Sequence, residues 1–180
     1  TDWGATSINN NIQNILNPSK KSLKIYDREY KLNDKVMQVR NNYDLTIENA
    51  LTSGEGVYNG DIGFINAIDK DDEKLEVEFY DGSIVTYKKE DIKDLDLSYA
   101  ITIHKSQGSE FDCVIIPMMQ VAPMLLTRNL LYTGVTRAKK LVVLVGEKRI
   151  IKKMVDNNTS NKRYTNLSYW INEMENLDND

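Results

Sequence analysis

"ITIHKSQGSEFDCVIIP", residues 101–117, sets two apolar runs on either side of a stretch of mostly small and polar residues. The run Ile101-Thr102-Ile103 reads as the end of a buried strand that begins at Leu97, and Cys113-Val114-Ile115-Ile116 as the start of a second. Between them lie the chain's single histidine, His104, a lysine, two serines, a glutamine and a glycine. In open parallel sheets, ligands bind where strands end. Small side chains at such a place expose backbone N–H groups to an anion, and a glycine lets a ligand come close to the main chain. Gly108 is that glycine here, and Lys105 adds positive charge. The stretch suits a phosphate, although no GxxxxGK[ST] loop occurs in the chain. A structural turn rich in Ser and Gly accounts for the same residues.

The pattern continues outward on the C-terminal side. Residues 125–138 have helical spacing through Leu126, Leu130 and Leu131; residues 140–146 read as a third buried strand and 147–155 as an amphipathic helix. Uninterrupted Val/Ile/Leu strands alternating with helices indicate a parallel sheet covered on both faces. Arg137, in "YTGVTRAKK" (132–140), falls near a helix end, just before a strand. It either caps helix carbonyls or serves as an arginine finger on a transferring phosphoryl group, a task for which the fixed fork and permanent charge favour arginine over lysine. A closing helix is expected over 164–174. On the N-terminal side, Ile8, Ile12, Ile15 and Leu16 predict a helix over 8–16, with Ser7 as N-cap and Pro18 past its end.

Between 35 and 88 the period changes to two. "KVMQVR" (35–40), "DIGFINAI" (61–68), "LEVEFY" (75–80) and "SIVTY" (83–87) alternate, and Asp81-Gly82 between two such runs signals a hairpin. Short strands with no helix between them predict a small antiparallel barrel. Residues 41–60 read as a long loop, opened by Asn41, Asn42 and Tyr43. Tyr43 either stacks on a base, worth about 1–3 kcal/mol in single-strand binders, or belongs to a loop held by Asn side chains. Asn59-Gly60-Asp61 reads as a turn.

The 180 residues, 41% of them hydrophobic, suit one domain with an insert, and no apolar run is long enough to span a membrane. The start lacks both a signal peptide and an initiator Met, which points to a fragment cut from a longer chain. Cys113 is the only cysteine, so an internal disulfide and a multi-cysteine zinc site are excluded; its apolar neighbours predict a buried thiol in a reducing, cytoplasmic setting. The net charge of −4 hides an asymmetry: residues 66–96 hold eleven acids against five lysines, residues 98–153 nine Lys/Arg against three acids. That distribution points to a basic face beside an acidic module.

Taken together, "ITIHKSQGSEFDCVIIP" and "RNLLYTGVTRAKKLVVLVG" (128–146) resemble motifs V and VI of superfamily 1 helicases, and of the RecD-like type most closely. "INNNIQNILNP" (8–18) resembles the segment after motif IV of those proteins, and "LNDKVMQVRNNYD" (32–44) the start of their SH3-like insert. The resemblance implies an α/β fold: a RecA-like parallel sheet with helices on both faces, interrupted by a small antiparallel SH3-like β-barrel. Residues 1–32 and 95–180 would form the second motor domain and residues 33–94 the insert. It implies the C-terminal part of an ATP-dependent DNA helicase, moving 5′→3′ on single-stranded DNA. Arg137 would be catalytic. Gln107, Gly108, Glu110 and Arg137 would lie at the nucleotide, and Thr102, His104 and Ser106, with Asn42 and Tyr43 of the insert, at the DNA. ATP and Mg²⁺ are the implied cofactors, with the metal held mainly by a first RecA-like domain elsewhere in the full protein. That domain and single-stranded DNA are the implied partners, and nuclease subunits are compatible with them; no membrane is involved. The fragment alone is expected to be inactive. The reading from another class is a non-catalytic single-stranded nucleic-acid-binding module, in which the barrel binds and the α/β part is scaffold. A P-loop upstream in the same protein distinguishes the two.

Overall fold

The computed structural model describes residues 4–48 and 54–158, with residues 166, 170 and 171. The first element, α1 (Ala5–Leu16), begins at Gly4 rather than after Ser7, and no side chain caps it. Its buried side chains are not the isoleucines. Ile15 and Leu16 are exposed, while Asn9 and Gln13 are buried, and so is Asn17 at the C-cap. These three amides follow at intervals of four, so they share one helix face. α1 is therefore docked through hydrogen bonds.

A hairpin follows, β1 (Ser22–Ile25) with β2 (Arg28–Lys31). Seven more strands then form one antiparallel sheet: β3 (Lys35–Gln38), β4 (Asn42–Glu48), β5 (Gly54–Val57), β6 (Ile62–Asp69), β7 (Lys74–Phe79), β8 (Ile84–Tyr87) and β9 (Leu95–Leu97). Their order is β5-β4-β8-β7-β6-β3-β9. The sheet curls around Val36, Ile65, Leu75, Val77, Val85, Tyr87 and Leu95, all fully buried. Leu23, Ile25 and Tyr30 of the hairpin belong to the same core. Alternation put these residues inside, as the sequence predicts. The β7–β8 turn is the expected Asp-Gly hairpin: Gly82 has φ +81° and Asp81 Oδ1 accepts from the Ser83 N–H and hydroxyl.

Two expectations fail here. Most of the stretch read as a loop over 41–60 is strand among the described residues: β4 and β5 pair antiparallel, with Leu45 turned into the core. Leu45 and Ile47, two apart, carry a short period-two pattern that the flanking Asn, Asp and Gly residues obscure. Residues 97–103 do not form a buried parallel strand either. β9 ends at Leu97 and pairs antiparallel with β3 on the barrel edge. Beyond it, both backbone groups of Ala100 bond to the Asn9 side chain instead of a neighbouring strand.

The parallel sheet consists, among the described residues, of β10 (Phe111–Met118) and β11 (Ala138–Gly146). Between them runs α2 (Arg128–Val135), capped by the Thr127 hydroxyl, and after them α3 (Lys148–Asp156). Ile116 and Met118 pack with Leu126, Leu131, Ile150 and Met154 into a second core. Both helices thus cover one face. Cys113 and Ile115 alternate onto the other face and are exposed, which corrects the buried thiol read from sequence. The expected closing helix over 164–174 lies mostly outside the described residues; Trp170 and Ile171 are helical.

Inside the barrel, the Tyr87 hydroxyl donates to Gln38 Oε1 at 2.9 Å, and both side chains are fully buried. Tyr87→Phe leaves that oxygen without a donor and should cost about 1–3 kcal/mol, read as a lower urea midpoint with unchanged slope. Burial also pushes the Tyr30 and Tyr87 phenols up, and burial next to Asp34 pushes Tyr99 up to about 12. A phenol whose folded pKa exceeds its unfolded value stabilises the fold fully below the unfolded pKa of about 10 and loses that contribution as pH rises through the folded value. Stability should therefore decline from about pH 10 upward, with part of the tyrosinate absorbance appearing only on unfolding.

Candidate functional site

Residues 98–110 cross from the barrel edge to the parallel sheet as a wound turn. The Ser106 N–H donates to the Thr102 carbonyl at 3.1 Å, Gln107 to His104 at 3.3 Å and Ser109 to Ser106 at 3.1 Å. Two of the small polar side chains hold the turn itself. Thr102 Oγ1 accepts from the Lys105 N–H, and the Ser106 hydroxyl donates to the Ile103 carbonyl at 2.8 Å. Ser106 is buried, so its hydroxyl is committed to the fold, not presented to a ligand as the sequence suggested. Thr102, His104, Gln107, Gly108 and Glu110 are exposed.

Gly108 adopts φ +87°, a conformation that costs other L-residues about 1–2 kcal/mol. No heavy atom lies within 4 Å of where its Cβ would be, so its backbone faces open space. This bare main chain is what a phosphate requires for close approach.

Arg137 reaches the same place. The Phe111 N–H donates to the Arg137 carbonyl at 2.9 Å, which joins the two motif backbones. The guanidinium donates through Nη1 to the Ser109 carbonyl at 3.3 Å, through Nε to the Thr133 carbonyl at 3.2 Å and through Nη2 to the Thr136 hydroxyl at 3.4 Å. Of the two sequence readings, the carbonyl cap of α2 is seen directly, and the same guanidinium bonds the carbonyl of the residue after Gly108. All its acceptors are neutral and the bonds are long; among the described residues it has no carboxylate partner. Glu110 pairs with Lys139 at 3.2 Å, both well exposed.

The turn divides two clefts. One, of about 720 Å³, lies between residues 109–113 and the barrel, with Asp61, Asp81, Glu110, Asp112 and the cation Lys139 in its walls; Arg137 does not line it. The other, of about 550 Å³, is a groove that Thr102 and Lys105 line together with α1 and the β1–β2 hairpin; its walls hold Lys24 and Arg28 and also Asp27, Glu29 and Asp96. Lys105 bonds Asp96 at 2.6 Å, and Arg28 pairs with the same carboxylate. Asn42 and Tyr43 stand apart, on β4. Asn42 accepts from the Asp44 N–H, and Tyr43 packs edge-on against Tyr58 at 6.1 Å and accepts from Asn41. Among the described residues no group of three His, Cys, Asp or Glu side chains could hold a metal ion.

A family model described as the UvrD-like helicase C-terminal domain matches residues 97–145, and one described as the ATP-dependent RecD-like DNA helicase SH3 domain matches residues 8–79. The chain belongs to the RecD-like helicases. It is 30% identical over 136 residues to the ATP-dependent RecD2 DNA helicase of Deinococcus radiodurans, an alignment covering 76% of this chain and 17% of that protein. It is 30% identical over 148 residues to the RecBCD enzyme subunit RecD of Buchnera aphidicola, covering 81% of this chain and 24% of that one. Its fold matches the Pif1 helicase from Bacteroides in complex with ADP-AlF3 and single-stranded DNA, at TM-score 0.53 and 19% identity, over 94% of this chain and 42% of that one. The chain thus spans about a fifth of the curated relatives' length. No helix among the described residues is long and apolar enough to cross a membrane.

Sequence reading missed one contact at this turn. Gly134 of α2 lies against Ile103, with the position of its missing Cβ 3.0 Å from Ile103 Cδ1 and 3.1 Å from Ile116 Cδ1. Motif VI therefore presses directly on motif V. Gly134→Ala sets a helix-propensity gain of about 1 kcal/mol against two contacts that flexible methyl ends can relieve, and should be nearly neutral. Gly134→Leu should cost about 1–3 kcal/mol by overpacking, measured by thermal unfolding.

Proposed function

We propose that this chain is the second motor domain, with its inserted barrel, of an ATP-dependent DNA helicase. The observation that carries the reading is the Arg137 guanidinium bonded to the carbonyl next to the open backbone of Gly108. In this reading residues 1–32 and 95–180 form the motor part and 33–94 the insert, with the β1–β2 hairpin as the buttress through which they share a core. Gln107, Gly108, Glu110 and Arg137 face the nucleotide. Thr102 and His104 face single-stranded DNA on the other side of the turn, Ser106 holds the turn together, and Asn42 and Tyr43 extend the DNA contact along the barrel. ATP would be held between this domain and a first RecA-like domain of the same protein, which would also hold Mg²⁺. The family likeness supports 5′→3′ movement, a cytoplasmic setting and room for nuclease subunits as partners.

The chemistry follows from the acceptors. Arg137 now rests on neutral carbonyl and hydroxyl oxygens. A γ-phosphoryl oxygen brought by the partner domain is charged, and charge-assisted hydrogen bonds are about twice as strong as neutral ones. Arg137 exchanges its weak bonds for that stronger one only when the interdomain cleft closes. Loss of the γ-phosphate after hydrolysis removes the acceptor, and the cleft reopens. Alternation of the two states moves the domains along one strand.

In the complete protein, Arg137→Ala should lower ATP turnover by about 10³–10⁵ while nucleotide binding persists. Arg137→Lys should not restore turnover, because a point charge lacks the fork. Steady-state ATPase assays with and without single-stranded DNA, paired with nucleotide binding, check this. Turnover retained in Arg137→Ala overturns the role.

A further inference from the structure

The buried amide face of α1 has partners that the motor reading leaves without a task. Asn9 is 6% exposed; its Nδ2 donates to the Ala100 carbonyl at 2.7 Å, and its Oδ1 accepts from the Ala100 N–H at 2.8 Å. The side chain thus engages both backbone groups of one residue, as a neighbouring strand would. Ala100 stands just before Thr102. Further along the same face, Gln13 Nε2 donates to Asp34 Oδ2 at 2.5 Å and Asn17 Nδ2 to Asp34 Oδ1 at 2.7 Å. Asp34 is fully buried and also accepts from the Lys31 N–H at 2.6 Å and the Tyr99 hydroxyl at 2.9 Å. Tyr99 and Ala100 are consecutive. One network therefore grips the entry to motif V from two directions, through α1 and through the barrel's first strand.

We propose that Asn9 and Asp34 are positioning residues for DNA engagement: they fix the Tyr99–Ala100 segment, and so set where Thr102 and His104 meet single-stranded DNA. This rests on the helicase reading above. Neither side chain bonds Arg137, Gly108 or Ser109, so nucleotide affinity and DNA-independent hydrolysis should not depend on them. The effect is confined to DNA. Asn9→Asp would keep an acceptor for the Ala100 N–H but set an oxygen against the Ala100 carbonyl, so it should be no better than Asn9→Ala. Tyr99→Phe removes one of four donors to Asp34 and keeps the ring.

The test uses the full-length protein and an oligo-dT probe. ATP hydrolysis is titrated against DNA and against ATP, and DNA binding is followed by fluorescence anisotropy with a non-hydrolysable ATP analogue. Asn9→Ala, losing two hydrogen bonds, should raise the half-saturating DNA concentration about tenfold. Its KM for ATP and basal rate should stay within about twofold of wild type. Tyr99→Phe should produce a smaller rise in the same direction, about threefold, and decides the matter if Asn9→Ala does not fold. A folded Asn9→Ala with unchanged DNA half-saturation overturns the proposal. So does a proportional loss of basal and DNA-stimulated rates, which marks a merely structural role. A wild-type protein whose hydrolysis ignores DNA overturns the helicase reading itself, and this inference with it.

Discussion

Four donors converge on the carboxylate of Asp34, and no water reaches it. Burying a carboxylate costs several kcal/mol unless hydrogen bonds replace its hydration. Here they come from Gln13 of α1, from Asn17 at its C-cap, from the Lys31 N–H at the end of the hairpin and from Tyr99. Removing any one leaves the carboxylate partly unsatisfied, so the arrangement is tightly cooperative. This requirement fixes α1 on the hairpin and the hairpin on the barrel. It also fixes where the chain leaves the barrel toward Thr102. Apolar packing would hold these parts together over a range of angles. Directional bonds hold them at one.

The second dependence is between the two motif segments. Phe111 pairs with Arg137 along the backbone, Ile103 fills the space that Gly134 leaves, and Arg137 bonds Ser109. Three kinds of contact place the turn beneath the end of α2, two of them made by Arg137. The second core, under β10 and β11, keeps α2 at that height. Gly108 then projects as bare backbone because neighbouring positions carry the packing and it carries none.

Much of this was legible because it rests on local periodicity. The barrel strands alternate, the Asp81-Gly82 turn has the chemistry its geometry demands, and β10, β11 and α2 follow their apolar runs. Arg137 and Gly108 could be paired from sequence only through the resemblance to helicase motifs; no spacing rule brings residues that far apart together. The failures have a common physical origin. Ile12, Ile15 and Leu16 suggested an apolar contact face for α1, but the face that makes contact is Asn9, Gln13 and Asn17. Leu97–Ile103 looked like one strand, yet the strand ends at Leu97, and at Ala100 the backbone partner is a side chain. Hydrophobic patterns show where water is excluded. They do not show where a directional bond has replaced a packing contact. The signal that could have exposed the network was present: amides at intervals of four, on one face, in a helix too polar to be held otherwise.

The turn joins its two sides by a continuous hydrogen-bonded path. Arg137 bonds the Ser109 carbonyl, Ser109 bonds Ser106, and Ser106 bonds Thr102. In the proposed mechanism Arg137 turns toward a phosphate; the Ser109 carbonyl then loses a donor, and the restraint on the end of the turn weakens. At the other end Asn9 and Asp34 hold Tyr99 and Ala100 still. A segment clamped at one end and released at the other deforms along its length, and Thr102 and His104 lie within that length. The barrel-side network thus has a mechanical sense: without a fixed end, a change at Arg137 would be dissipated as motion of the whole segment and would not reach Thr102 and His104 as a displacement.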